Sequence, residues 1–600
     1  MERQRWILSG LFALIVLSLS TVPTIAQTLP PEVIAYPDLV VWNGKVLTAD
    51  ERNTTAQAVA IRDGKFLAVG TNERIRALIG PETQVIDAQG KSVVPGFVNS
   101  HHHLADYTAR PLYWWREPKE ALETVKGAAA TTPEGQWIAL YYSPSVSNRL
   151  EGKFRIEDVD AITTRHPVLI GGQVGGSIDV LNSLALQKFI DFQGGSREGI
   201  VTDPQSGKPT GRVRGPGVEN FTLEVVEWMD PLPEKVAGLK AAIQEELSRG
   251  FTTLHTRVNP HGISSLRELW INGDLHQRWR IAFSAFRGEE PVILPRLGNL
   301  TGIGDDMLRI SGIAPGSLGG NIGTGTGAWT FEPKVGLLPG ERDLPYGNTT
   351  AENWRNSPTR TTLVEAVKWG WSVVGMHVEG DQATAAALAT YEEAFANRMV
   401  KSRNVVFRMD HLPLLRNEEI QKMKELGVAP SIAPWHPFAR PLNTVEMYGI
   451  ERVSQMAPAR RLLDAGLKLV TETSFVCPMW NAQFVITRKT GGDSPQAGPE
   501  RIYGPSERVT REEALKMLTI NGAHYVNEAD RLGSIEVGKL GDLLILDGDY
   551  MAVPEDQIVN LGVQKTIVGG KIVYETSTPG PCKNSRFEMT RELGTYEGLY

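Results

Sequence analysis

The stretch VVPGFVNSHHHL, Val93 to Leu104, decides how the chain is read. Val93, Val94, Phe97 and Val98 make an apolar run of strand length around Pro95 and Gly96. Residues two apart on a strand share a face. His101 and His103 therefore aim two imidazoles at one point, and His102 turns away. Two imidazoles so placed form a chelate for a divalent metal such as Zn²⁺. The same letters also describe a polar loop of mutually hydrogen-bonded histidines. A His-x-His that ends an apolar strand after Pro-Gly fits the metal better.

Outward from this stretch, 600 residues exceed one ordinary domain, although an α/β barrel can run long. A formal net charge of −7, with no basic stripe, argues against a nucleic-acid partner. No polybasic run suggests anionic lipid. A small-molecule substrate fits this composition, and a homo-oligomer stays open. Residues 1–26 read as a secretory signal peptide: Arg3 and Arg5, the apolar run Ile7 to Leu19, then Thr24-Ile25-Ala26 before Gln27. The run is short of the roughly 20 residues that span a bilayer. The mature chain is expected to be exported, periplasmic or secreted, without stable membrane insertion. Export would permit a disulfide between Cys477 and Cys582, but sequence does not bring them together.

Residues 27–94 hold short β-runs with Asn-Gly, Asp-Gly and Gln-Gly turns, as in DLVVWNGKVLTAD and AVAIRDGKFLAVG. Residues 531–576 repeat that grammar in GSIEVGKLGDLLILD and VQKTIVGGKIVYE, and 577–600 read as a tail. Between them, amphipathic helices stopped by glycine alternate with strands. EKVAGLKAAIQEELSRG precedes FTTLHTRV, TTLVEAVKWG precedes WSVVGMHVEGD, and EEIQKMKELG precedes VAPSIAPWHP. Such alternation predicts an α/β fold, a (β/α)₈ TIM-like barrel over 95–530. In that fold chemistry sits at the C-terminal strand ends. His377 ends WSVVGMH, His411 ends NVVFRMDH and His255 lies near the end of FTTLHTRV; His436 follows VAPSIA.

From about residue 35 to about residue 576 the chain resembles the amidohydrolase superfamily, in its YtcJ-like, amidohydrolase 3 branch. The resemblance rests on PGFVNSHxH, MHVEGD, RMDHLPLL and GKLGDLLILD. It implies that the two terminal β-segments pair into one composite β-sandwich. It implies an inserted subdomain at about 104–235, containing Pro209-Thr210-Gly211, with Ser177 and Gly215 where the family has a histidine and an acid. It makes His101, His103, His377 and His411 the metal ligands, one Zn²⁺ being the expected ion. His436 and Asp381 are then substrate-facing candidates, and His255 has no ligand role in the pattern and lines the substrate pocket or is structural.

Two family features are missing. Ser311 or Gly312 stands where a carboxylated lysine would bridge two metals, and Pro315 replaces an aspartate. The aspartate that ends the eighth strand is absent from VTETSFV. A hydrolase still needs a group to accept the proton of attacking water. Asp410 is expected to face away from the site, because it precedes His411 on a strand. Asp381 sits in a turn that more often caps a helix. Glu472 faces inward if counting from Gly466 puts Ser474 in the aspartate's place, and outward if Thr473 takes it. Glu472 is the catalytic candidate on the first register. The run GSLGGNIGTGTG lacks the phosphate-loop pattern and reads as a lid. Two functions compete: a metal-dependent hydrolase of non-peptide C–N bonds in amides or cyclic amides, and a silent barrel that binds a small ligand or metal.

Overall fold

A computed structural model describes residues 35–102, 112–113, 115–142, 150–172, 177–214, 218, 221–222, 225, 232–258, 260–284, 289–319, 328–335, 351–401, 405–438, 441–473, 476–490 and 500–581. The signal segment, His103, Gly215, Ser474, Cys582 and most of the glycine-rich run lie outside them. All elements below belong to the unit Pro37–Tyr600. No helix among the described residues is long and apolar enough to cross a membrane.

Eight parallel strands follow one another in chain order. They are β1 (Phe97–His102), β2 (Phe251–Val258), β3 (Arg278–Ser284), β4 (Leu308–Ala314), β5 (Val373–Val378), β6 (Phe407–His411), β7 (Ala429–Ile432) and β8 (Val470–Thr471). Each is joined to the next by a crossover carrying helix, which is the condition for parallel pairing. The sheet is a nearly closed TIM-like barrel. Near the seam between β8 and β1, the closing helix Ile520–Tyr525 packs against β1. Its Asn521 Nδ2 donates to the carbonyl of Leu469, and Gly522 lies so close to Val98 that a Cβ would come within 2.6 Å of the valine Cβ.

The Pro-Gly that opens β1 has a steric reason. A Cβ on Gly96 would stand 2.1 Å from Thr252 Oγ1 at the start of β2, so only glycine admits this approach. Glycine also ends the helices ahead of β2, β5 and β7, where Gly250, Gly370 and Gly427 have φ of 91°, 80° and 67°.

The terminal segments form the composite sandwich. One sheet is Lys65–Gly70, Ala58–Arg62, Leu39–Trp42 and Gln84–Asp87; all four strands are N-terminal. The other interleaves both ends of the chain: Lys571–Glu575, Val563–Val568, Leu543–Leu546, Ser92–Pro95, Lys45–Leu47 and Thr55–Ala56. Leu39, Val41, Val59 and Ile61 share a buried core with Val93, Leu543, Ile545 and Ile567. Ser92–Pro95 runs directly into β1, so the sandwich holds the metal strand at its base.

The segment between β1 and β2 has its own core. Leu112–Tyr113, Ile138–Tyr142, Val168–Gly172 and Val180–Leu181 form one sheet, and Ser177–Ile178, Pro209–Arg214 and Ile200–Thr202 another. Tyr142, Leu169, Val180 and Phe189 are buried in it.

Candidate metal centre

His101, His377 and His411 meet at the mouth of the barrel. His101 is the fifth residue of β1, His377 the fifth of β5 and His411 the last of β6. One nitrogen from each lies within 4.8 Å of the others. The Nε2 atoms of His101 and His377 are 3.0 Å apart.

The opposite ring nitrogens are held from behind. His101 Nδ1 lies 2.6 Å from Asp410 Oδ2. His377 Nδ1 lies 3.2 Å from Ser317 Oγ. His411 Nδ1 lies 2.7 Å from Glu472 Oε2, and the His411 amide donates to Glu472 Oε1. Nδ1 partners fix tautomer and ring orientation and turn Nε2 towards a common point, the usual arrangement behind metal-ligating histidines. Burial drives the His101 pKa down to about 3, which keeps the imidazole in its neutral, ligating form.

His411 departs from strand geometry. Its φ is 76° and that of Leu412 is 36°, both left-handed. Arg408 and Asp410 follow the ordinary alternation and both reach Tyr525, through its carbonyl and its hydroxyl respectively. Asp410 thus faces inward, contrary to the expectation from its place before His411. His411 is the residue turned out of the alternation, and it turns towards the site. One strand end supplies both a histidine and the carboxylate behind a neighbouring histidine.

Glu472 takes the inward register and is fully buried. Both of its oxygens accept from His411, which makes it the group that orients that ring rather than a base facing open space. Burial raises its carboxyl, but the adjacent His411 and the two hydrogen bonds from it win and lower it. Asp410 is pushed well above the usual carboxylate range by burial and then by the charge of Glu472. Its ionised form leans on the Tyr525 hydroxyl and on positive charge nearby.

Two substrate candidates are corrected. His255 sits in the middle of β2, below the strand end, and is buried. Its Nδ1 bonds the Ser100 carbonyl at 2.8 Å and its Nε2 lies 3.1 Å from Ser311 Oγ, so the ring braces β1 to β4. Ser311 therefore packs in the barrel wall at the place where a bridging lysine would emerge. Asp381 opens the helix Asp381–Ala396 and accepts from the amides of Gln382 and Phe331, which commits it to that helix start and the adjoining loop.

His436 stands beside the centre, its ring centroid 4.3 Å from that of His411. Its Nδ1 lies 2.7 Å from Glu379 Oε1. Glu379 was not singled out in the sequence. It lies two residues beyond His377, and the same two-residue rule that pairs His101 with His103 would have found it. Tyr525, which touches Asp410 from the last helix, carried no local signal.

The family profile described as Amidohydrolase family matches residues 84–574. The chain belongs to the amidohydrolase family. It is 26% identical over 578 residues to N-substituted formamide deformylase of Arthrobacter pascens, covering 90% of this chain and 98% of that one. It is 24% identical over 558 residues to the putative amidohydrolase YtcJ of Bacillus subtilis, covering 90% and 99%. These likenesses place it in the amidohydrolase 3 branch. Among solved structures, an uncharacterized metal-dependent hydrolase of Pyrococcus horikoshii superposes with a TM-score of 0.65 at 20% identity, covering 86% of this chain and 99% of that one. That agreement is one of fold.

The donor set fits a divalent ion. Neutral imidazoles with their Nδ1 atoms held from behind are zinc-type ligands. Asp410, Glu472 and Glu379 are each 1% exposed or less around them. Among the described residues, Arg257 is the guanidinium whose charge acts on His101 and Asp410. A divalent cation among these buried carboxylates would favour their ionised forms, that of Asp410 included.

Proposed function

We propose that this amidohydrolase-family protein is a metal-dependent hydrolase of a non-peptide C–N bond, in an N-acyl or N-formyl amide or a cyclic amide. The observation that carries the reading is the convergence of His101, His377 and His411 with Asp410, Ser317 and Glu472 behind them. Those three histidines would hold one ion, with zinc the identity proposed from the nitrogen-rich donor set. Bound there, a divalent ion polarises a carbonyl and lowers the pKa of water.

The chain's own residues supply positioning and proton handling. Asp410 and Glu472 hold His101 and His411 in the ligating tautomer. Glu379 keeps Oε1 on His436 and leaves Oε2 buried without a hydrogen-bond partner among the described residues. That oxygen, rather than Glu472, is the acceptor this chain places for a proton. His436 lines the same side of the centre and faces the substrate. Support for C–N chemistry comes from the formamide deformylase named above, matched over nearly its full length. We place the mature protein outside the cytoplasm, on the N-terminal sequence pattern of Arg3, Arg5 and the apolar run after them.

The test is elemental analysis of purified protein, then a screen of N-formyl, N-acyl and cyclic amides with the metal-stripped and reconstituted enzyme. One ion per chain and metal-dependent turnover are expected. Glu379→Gln should lower turnover by about 10²–10⁴-fold, the usual worth of a positioned base. The competing reading, a silent barrel, draws on Ser311 in the lysine's place and on both Glu472 oxygens being committed to His411. One ion per chain without turnover of any of these amides would favour it.

A further inference from the structure

Glu379, His411 and His436 form a second group whose ligand atoms lie within 4.8 Å of one another, and all three are buried. His411 belongs to both groups. Its Nδ1 is committed to Glu472, so a single nitrogen, Nε2, serves either group. One imidazole nitrogen binds one ion at a time. The two groups are therefore alternatives and do not form a two-metal site.

The second group has an independent mark of its own. Glu379 is 1% exposed, and its Oε2 meets no hydrogen-bond donor among the described residues. A buried carboxylate oxygen left in that state keeps its desolvation penalty uncompensated. A cation beside it would remove that penalty. The Oε1 contact with His436 fixes the carboxylate towards the centre. Trp435 packs edge-on against the other side of the His436 ring, with centroids 4.0 Å apart, and limits its rotation.

We propose that the barrel offers one divalent ion two overlapping stations. The first is His101, His377 and His411. The second is Glu379, His411 and His436, with one carboxylate oxygen and two imidazoles. The inference rests on the reading that the three-histidine centre holds a metal. An ion in the second station occupies the oxygen assigned above to proton uptake, so that station is non-productive and sparsely filled, and the wild-type ion sits in the first. Passage between the stations pivots on His411, whose left-handed backbone holds the ring between the two groups.

The test uses full-length protein, Co²⁺ in equilibrium dialysis, and the visible absorption of the bound ion. Wild type should hold one Co²⁺ per chain. His377→Ala should still hold one, with an altered spectrum because a carboxylate replaces an imidazole. Its affinity should fall by more than the roughly 10–100-fold that losing an outer partner costs. Adding Glu379→Gln to His377→Ala should abolish binding, whereas Glu379→Gln alone should leave the wild-type spectrum unchanged. Circular dichroism and melting of each variant in chelator establish that it is folded. Two Co²⁺ per wild-type chain would overturn the proposal. So would a folded His377→Ala without Co²⁺, or a double variant that binds as His377→Ala does. Wild type without any Co²⁺ would sink the three-histidine reading itself, and the second station with it.

Discussion

The two ends of the barrel strands handle buried charge in opposite ways. At the floor, Arg278 at the start of β3 makes two hydrogen bonds to Asp542, of 2.7 and 2.8 Å. Arg280 donates to Glu528 at 2.7 Å, and Arg408 to the carbonyls of Tyr525 and His524 at the end of the last helix. Cations there meet anions or a helix C-terminus, and the result is a closed structural network. At the mouth, imidazoles face one another and carboxylates stand behind them. Two neutral rings with nitrogens at 3.0 Å can share one N–H···N hydrogen bond, and a cation held by both nitrogens would replace it. Paired opposite charge marks the floor as scaffold, and the converging imidazole nitrogens mark the mouth for binding.

The strongest way to break this comparison is His411→Ala. His411 serves both ligand groups, so the variant should retain no divalent ion by elemental analysis. Stability measured in chelator should change far less than metal content. Next comes the floor, where Arg278→Ala leaves Asp542 buried without its partner. Breaking a buried ion pair costs about 3–5 kcal/mol, to be read from denaturant midpoints. The surviving folded fraction should carry its ion at wild-type affinity. A large loss of metal affinity in the folded Arg278→Ala protein would mean that the two ends are coupled, and the comparison would fail.

Smaller effects sharpen it. Glu472→Gln weakens the acceptor behind His411 and should lower metal affinity by roughly 10–100-fold, measured by competition with a chromophoric chelator. Tyr525→Phe removes the hydroxyl that donates to Asp410 and accepts from the Gly375 amide, contacts that join the floor helix to the mouth. We expect a stability loss of about 1–3 kcal/mol, the net worth of two hydrogen bonds, and a metal-affinity loss no greater than for Glu472→Gln. An unchanged affinity in Tyr525→Phe would show that Asp410 is held by His101 alone.

How much of this was legible follows from where the partners lie. His101, His377 and His411 were readable because each ends an apolar run. The later barrel units were readable because glycine stops their helices. RWRIAFS was not singled out as β3: its alternating arginines look like a solvated face, whereas they enter the floor network. Asp410 was misjudged because alternation was applied without the left-handed turn at His411. Which carboxylate stands behind which ligand could not be seen. His101 and Asp410 are 309 residues apart, and His411 and Glu472 are 61 apart. No local period connects residues at such distances. Position left His255 between pocket and frame and Asp381 between substrate and helix start, and their hydrogen bonds assign both to the frame.

The interleaved sheet of the sandwich has a consequence in time. Ser92–Pro95, the strand that runs into β1, takes one neighbour from Lys45–Leu47 and the other from Leu543–Leu546. During synthesis the second neighbour emerges roughly 450 residues after the strand itself, which at about 5–20 residues per second is a delay of some 20–90 s. Through that interval the strand keeps one open edge, a template for pairing with another chain. Slowing translation between the barrel and Leu543 should therefore raise the aggregated fraction, and a chaperone that shields strand edges should matter most before those last strands arrive.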